Sequence, residues 1–526
     1  MVEVITATDY LELETDVLVI GGGPAGTWAA LSARQTGARV ILVDKGYCGT
    51  SGVGAAATIG HWWVQPENRE AAMDAKNIDA CGLAERRWMS RVMEETWQTW
   101  PDFAESRGYI GDPTYRGSGH HQVVIQGPVY LREMRRLIHR AGVTIMDHAP
   151  ALSLLSDSAS HCVGAEGVLR QEGRHWRIRA GAVVMAAGGC ALKSGCIGSS
   201  VNTGDALLMA AELGARFSGM EFSNYYGIVP KGGTVDKNGY LLQAAFFDRS
   251  GRQVHLGWSS PYGVMGTGAA SLFDHEPVYC QFNQVPAERR PLMRAGQPNL
   301  FVQFDRLGID PFAMKFEVQP VFEGSIRGSG GILVEDDSCA TAVPGLWVAG
   351  DAASREMLVG ASSGAGSVNA SWTIASGRWA GAAAAKSAEQ SGSRTNTATA
   401  PHRRSGRDVA TIRRLLGALQ ADVLPISRNG FRRADRLNET IALTRDLGEN
   451  LKLGKFAEDV RSLQAAREME SMLFFAERSA QASLLRRESR GVHRRADFPD
   501  QSPEAWRHLQ VWKGLEEGTE RRIPKF

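Results

Sequence analysis

The run Asp16-Val17-Leu18-Val19-Ile20-Gly21-Gly22-Gly23-Pro24-Ala25-Gly26 sets the architecture of this chain. Its four consecutive apolar residues predict a parallel strand buried on both faces, with glycines following at once. An alanine-rich helical run then reaches Thr36, Gly37 closes it, and residues 39–43 form a second strand ending at Asp44. Strand, glycine turn, helix and strand with an acidic residue at that distance form the dinucleotide-binding fingerprint. Gly21 permits the tight turn, Gly23 lets backbone approach a pyrophosphate, and Gly26 lets helix and strand pack closely. The helix N-terminus offers free N–H groups and partial positive charge to that pyrophosphate. Asp44 is expected to accept hydrogen bonds from an adenosine ribose. An α/β unit without a ligand is the competing reading.

Around this unit lie 526 residues, enough for roughly three to five folding units. An apolar share of 43% against 22% charged excludes disorder over most of the chain. Lysine plus arginine number 59 and aspartate plus glutamate 57, so no basic field for nucleic acid exists. No apolar run reaches the length of a membrane span. The first residues hold no lysine or arginine to open a secretory leader. Seven cysteines make no disulfide framework, and cytoplasmic localisation is expected. The 59 glycines concentrate at 21–26, 46–60, 181–204 and 324–366, where close backbone approach points to a large bound cofactor.

Further strands are expected at 143–146 and 182–185, the latter running into Ala186-Ala187-Gly188-Gly189. Asn202-Thr203-Gly204-Asp205 reads as the capping loop of a helix over 206–213. Residues 230–320 turn polar and aromatic, with short strand-like runs, and read as an inserted lid. Gly345-Leu346-Trp347-Val348-Ala349-Gly350-Asp351 restores the strand-then-turn pattern, and helical alanines follow over 372–385. A serine-, threonine- and arginine-rich linker at 386–407 leads to amphipathic helices reaching about residue 485.

Taken in order, four segments resemble the flavoprotein subunits of succinate dehydrogenase and fumarate reductase, with L-aspartate oxidase and adenylylsulfate reductase. They are 16–26 with Asp44-Lys45; Ala187-Gly188-Gly189 followed by Thr203-Gly204-Asp205 and Met220-Glu221-Phe222; Gly330-Gly331-Ile332 with 345–351; and the run 487–499 around Arg490-Gly491-Val492-His493. The resemblance implies an α/β fold: a Rossmann-like FAD-binding domain (1–229 and 321–385), an inserted α+β capping domain (230–320), a linker (386–407) and a C-terminal helical domain (408–526). It implies FAD as cofactor, with Gly21, Gly23, Gly26 and Asp44 matching the ADP contacts. Lys45, Ser51, Gly52, Ala187, Gly188 and Gly350 join that cofactor set, Thr203 and Asp205 border the flavin, and Asp351 meets the polyol and phosphate region. Ser363, Ser367 and Val368 belong to the segment 360–368, which would aim a helix N-terminus at the flavin N1–C2=O edge. A positive dipole there stabilises the anionic reduced flavin.

Departures from the family bear on the substrate. Where it carries a Ser-His pair for covalent FAD attachment this chain has Ser51-Gly52, so the FAD is expected to be noncovalent. The Gly-Ala-Asn-Arg run with the substrate-clamping arginine reads Gly360-Ala361-Ser362-Ser363. The His-Tyr-Thr-Met-Gly-Gly motif reads Ile326-Arg327-Gly328-Ser329-Gly330-Gly331, and Tyr225-Tyr226-Gly227 replaces His-Pro-Thr. A dicarboxylate needs two strong anchors, best supplied by arginine forks. Succinate and fumarate are therefore not expected, which leaves an amino acid, a sulfur compound or a secondary metabolite.

Arg327, His61 and His121 are the catalytic candidates. Arg327 stands where the family faces its substrate, though the cap interface is its alternative role. His61 follows the 51–57 segment and serves either as an acid–base group or as a structural histidine. His120 and His121 precede a strand-like run, so at most one would face the site. Cys190 and Cys196 make either a redox dithiol or two small buried thiols. Arg249, Arg252, His255, Tyr262, Arg289 and Arg290 are the cap's candidate substrate contacts, and Glu488, Arg490 and Asp497 an ion network holding the tail. No metal site is expected, and without a Cys-x-x-Cys the chain carries no iron–sulfur cluster, which leaves room for a separate electron-transfer partner. The expected activity is hydride or two-electron transfer between flavin N5 and a small molecule. The alternatives are an oxygen-using oxidase or monooxygenase, and a non-catalytic flavin-binding subunit of a larger redox complex. No second glycine-rich unit for NAD(P)H is present.

Overall fold

The computed structural model describes residues 10–105, 124–236, 240–254, 273, 277–363, 365–391, 399–400, 406–503, 509–516 and 519–522. The fingerprint run closes strand β1 (Tyr10–Ile20), whose Val17, Leu18 and Val19 are wholly buried. Helix α1 (Pro24–Gln35) leads to β2 (Val40–Val43), parallel to β1 with Val17 opposite Val40 and Ile20 opposite Val43. Helix α2 (Arg69–Asp79) then turns Met73 and Lys76 inward. On the other side of β1 lies β3 (Arg174–Met185), again parallel, with Ile20 opposite Met185.

Strands Thr144–Met146 and Leu346–Val348 extend the parallel array beside β2 and the C-terminal half of β3. The sheet is nevertheless mixed: Cys162–Leu169 adds antiparallel to β3 and Ala151–Ser156 to that strand, giving seven in all.

Helix α3 (Ala365–Ser391) covers this sheet and is longer than the alanine run suggests. A Cβ on Gly377 would stand 2.5 Å from the Ala25 carbonyl, and one on Gly381 2.2 Å from that of Ala29. Bare glycines thus let α3 press against the backbone of α1. The helix continues through 386–391, where the composition predicts linker, because Ala388 is buried against Gly181 of β3.

A second sheet of five antiparallel strands runs Tyr225–Pro230, Phe316–Gly324, Val278–Gln281, Ala245–Phe247 and Gln253–Val254 in that spatial order. It begins before residue 230 and ends after 320. Phe301 and Phe312 stack beneath it, alongside Phe282 and Phe316.

Beyond residue 408 come helices Val409–Val423 and Ala434–Leu453 and then α4 (Val460–Leu485). These helices end at residue 485 as the sequence reading has it, and strands follow them. Strand Leu509–Lys513 pairs with Thr519–Arg522 and with Arg216–Ser218, which also pairs with Gly331–Ile332. The segment between α4 and this hairpin carries a largely buried ion network. Arg486 joins Glu221 at 2.7 Å and Glu488 at 2.8 Å, Arg490 binds both oxygens of Glu488, and Arg495 pairs with Asp497 at 2.7 Å. Burial alone would raise the Glu488 carboxyl, but Arg490 and Arg486 outweigh it and hold it below the usual range.

Candidate active site

A cleft of about 810 Å³ opens at the C-terminal ends of β1, β2 and β3. Gly21, Gly23, Asp44, Lys45, Ser51 and Gly52 line one side of it; Ala187, Gly188, Asp205, Gly350 and Asp351 line the other. Gly21 adopts φ +111°, its N–H donates to the Val43 carbonyl at 2.8 Å, and a Cβ there would stand 2.4 Å from the Ala186 oxygen. Gly26 lies 1.8 Å, by the same construction, from the Gly21 carbonyl, so no side chain fits between turn and helix. A Cβ on Gly23, by contrast, meets nothing within 4 Å. Gly23 is also the N-cap of α1, without a side-chain cap and with proline following, so the first N–H groups of the helix stay available. Open backbone, free helix donors and an acidic residue at the next strand end fit the pyrophosphate and ribose of an FAD.

Asp44 is fixed by three donors. Its Oδ2 accepts from Gly22 N–H at 2.7 Å, and its Oδ1 accepts from Gly46 N–H and from Ser51 Oγ, each at 2.7 Å. Lys45 reaches Asp205 at 2.5 Å, Thr203 Oγ1 at 2.7 Å and Glu468 of α4 at 3.0 Å. Burial alone would lower its pKa, but Asp205 and Glu468 hold the ammonium well above the usual lysine range. Thr203 therefore acts in the wall, donating to Asp205 at 2.9 Å. Gly26, Ser363, Ser367 and Val368 likewise lie behind the lining rather than in it.

A second cavity of about 630 Å³ adjoins the first and shares Pro24, Val53, Gly54, Asp351 and Thr373 with it. Thr58 and Ile59 form one wall, Ile326 and Arg327 another, and Asn369 and Ala370 of α3 the floor. The Arg327 side chain is 14% exposed, with Nε 3.5 Å from Glu323 Oε2 and the guanidinium 5.9 Å from the Tyr225 ring centre. Burial opposes its charge, yet Glu323, Tyr225 and Asp236 together raise its pKa further. Arg327 is thus a permanent cation at this wall.

Arg355 was not legible as part of the site. Completely buried, it pairs with Asp351 and donates to the carbonyls of Ser325 at 2.7 Å, Ile326 at 3.2 Å and Gly328. It ties the loop carrying Arg327 to the acidic residue at the mouth of the first cleft. The spacing of four between Asp351 and Arg355 was the available signal.

His61 is not brought to either cavity. It lies 3.7 Å, ring centre to ring centre, from Trp100 in an aromatic cluster with Tyr130, and burial pushes its pKa down to about 3. A neutral imidazole packed on indole is a core residue, and this placement replaces the acid–base reading. His120 and His121 lie outside the described residues, as do His255 and Tyr262. Arg249 and Arg252 sit on an exposed turn, where Arg252 pairs with Asp248; Arg290 stacks over Phe312. Neither they nor Arg289 line the cavities. Cys190 and Cys196 are buried thiols not joined in a disulfide, and burial raises the Cys190 pKa far from thiolate chemistry.

Two families match this chain. The FAD binding domain matches residues 16–247, and the fumarate reductase flavoprotein C-terminal family matches 427–524. L-aspartate oxidase of Streptomyces coelicolor is 24% identical across 65% of the chain and 63% of its own length. A fumarate reductase (CoM/CoB) subunit of Methanothermobacter marburgensis is also 24% identical, over 96% of the chain and 98% of the relative. L-aspartate oxidase of Mycobacterium tuberculosis is 26% identical over 94% and 95% respectively. Among solved structures, FrdA of E. coli quinol fumarate reductase superposes with a TM-score of 0.82 at 19% identity, covering 98% of this chain and 97% of that one. Adenylylsulfate reductase of Archaeoglobus fulgidus gives 0.73 at 18% identity, covering 98% and 96%. No helix among the described residues is long and apolar enough to cross a membrane. The chain thus carries an FAD binding domain and a fumarate reductase flavoprotein C-terminal domain, and it is an FAD-dependent oxidoreductase similar to fumarate reductase flavoproteins and L-aspartate oxidases.

Proposed function

We propose that this enzyme transfers a hydride between flavin N5 and a small anionic molecule other than succinate or fumarate. The carrying observation is Arg327, a permanently charged guanidinium in the wall of the cavity that adjoins the cofactor cleft. In this reading the ADP end of a noncovalent FAD lies along Gly21–Gly23 and Asp44, and the ring extends toward Val53, Asp351 and the start of α3. FAD supplies the hydride acceptor or donor at N5. Arg327 holds one anionic group of the substrate, and Glu323 and Tyr225 behind it fix the direction of the fork. Because Arg327 keeps its proton throughout, it orients the substrate and does not shuttle protons. Ile59, Ile326 and Ala370 exclude water around the reacting carbon. The sheet spanning residues 225–324 serves as the cap. The other half-reaction falls to a separate partner, which takes electrons from the flavin when substrate is oxidised and supplies them when it is reduced.

The experiment is a titration of the FAD-loaded protein with small carboxylates and sulfur oxyanions, followed through the visible flavin spectrum. Arg327→Gln should weaken every anion that perturbs the spectrum by at least about tenfold, with FAD content unchanged. Equal affinities in wild type and variant would reject Arg327 as the anchor.

A further inference from the structure

Lys76 is buried on the inner face of α2, with only 7% of its surface exposed. Its Nζ donates to the Ser363 carbonyl at 2.6 Å. No carboxylate lies within ion-pair distance of it among the described residues; Asp79 and Cys81 favour its charge, but burial outweighs both. Burial draws its pKa down to about 8, which still leaves the ammonium mostly protonated at neutral pH. A desolvated cation with a single carbonyl partner is costly unless an anion arrives to meet it.

Ser363 identifies where that anion would be. It stands in the Gly360-Ala361-Ser362-Ser363 run, where the family's clamping arginine is missing, and directly before α3, whose Asn369, Ala370 and Thr373 line the cavities. A cation lost from one side of this turn is thus matched by a cation behind it.

We propose that Lys76 is a positioning residue for the flavin chemistry: acting through the Ser363 turn, its charge adds to the α3 dipole and stabilises negative charge on the N1–C2=O edge of the reduced ring. This rests on the placement of the ring against the start of α3 given above. The positive potential at that edge comes from an ammonium outside the cavity, so it persists whether or not substrate is bound.

The test uses the FAD-loaded protein and three variants. Lys76→Met removes charge and hydrogen bond, Lys76→Gln keeps a neutral donor, and Lys76→Arg keeps the charge. Two quantities are read: the midpoint potential of bound FAD by dye-coupled reduction, and the affinity for sulfite. The sulfite lone pair forms a bond from sulfur to flavin N5, and the displaced electron pair comes to rest on N1–C2=O, so affinity reports the potential there. The potential should fall in both neutral variants and return toward wild type in Lys76→Arg. Sulfite should bind at least about tenfold more weakly to both neutral variants. A Lys76→Gln protein indistinguishable from wild type would overturn the proposal by reducing Lys76 to a hydrogen bond. If Lys76→Met purifies without FAD, the Lys76→Gln and Lys76→Arg pair decides the question alone. A wild-type protein that takes up no FAD would instead sink the ring placement itself.

Discussion

A side chain at Gly23 would enter open space, while one at Gly26 would strike the Gly21 carbonyl. The two glycines thus answer different demands, and Gly23→Trp separates them. Its fold should survive and its FAD binding should vanish, so the purified variant would be colourless with a wild-type circular dichroism spectrum. His61 presents the opposite situation, a titratable group held in an apolar cluster. Its folded pKa of about 3 lies below the ordinary value of 6.5, so between those values only the unfolded chain takes up the proton. Stability contributed by neutral His61 is whole above pH 6.5 and declines as pH falls toward 3, by about 1.4 kcal/mol per unit at most. His61→Phe should therefore flatten the acid limb of a urea-denaturation series, and an unchanged slope would count against this packing. The turn at Gly21 and Gly23 and the acidic strand end at Asp44 were legible because strand, glycine turn, helix and second strand follow one another within a single local stretch. Lys76 was not, since nothing in the local pattern marks a helix lysine as buried, and Arg355 offered only its spacing of four from Asp351.

Helix α3 is the element on which both cavities depend. It floors the second one, and it holds Gly350 by both backbone groups. The Gly350 N–H donates to Ser376 Oγ at 3.0 Å, and Trp372 Nε1 donates to the Gly350 carbonyl at 3.0 Å. Gly381→Leu would force α3 away from the Ala29 carbonyl. The expected loss is at least about 1–3 kcal/mol in urea denaturation, with weakened FAD retention. Retention of full stability would mean that α1 and α3 are not pressed together as described. Strands β1 and β2 were readable as unbroken apolar runs, because Val17–Ile20 and Val40–Val43 are buried throughout. The pair Ala151–Ser156 and Cys162–Leu169 was missed, since small and polar residues interrupt its pattern. Strand Leu509–Lys513 was missed for another reason: its partner Arg216–Ser218 lies far away in sequence, and no local signal records that pairing.

Across the whole molecule, Glu468 of α4 is one of the ties between the C-terminal helices and the cofactor domain. It binds Lys45 at 3.0 Å and Lys193 at 2.6 Å, with 7% of its side chain exposed. Burial would raise its carboxyl pKa, but the two lysines hold it below the usual range. Its contribution is thus present above the ordinary glutamate pKa and is lost as pH falls through the depressed folded value. Glu468→Gln should cost roughly 3 kcal/mol at neutral pH, the scale for breaking a buried pair, and should lessen the acid sensitivity of the melting temperature. Asp44 and Lys45 are consecutive residues at the end of β2, one lining the cofactor cleft and the other reaching α4. Any shift of that strand end on cofactor loading is felt at once by the tail. By reciprocity, an occupied cleft and a docked tail favour each other to the same degree. Limited proteolysis would register this coupling: the apoprotein should be cut in its C-terminal region more quickly than the loaded enzyme, and the Glu468→Gln apoprotein more quickly still.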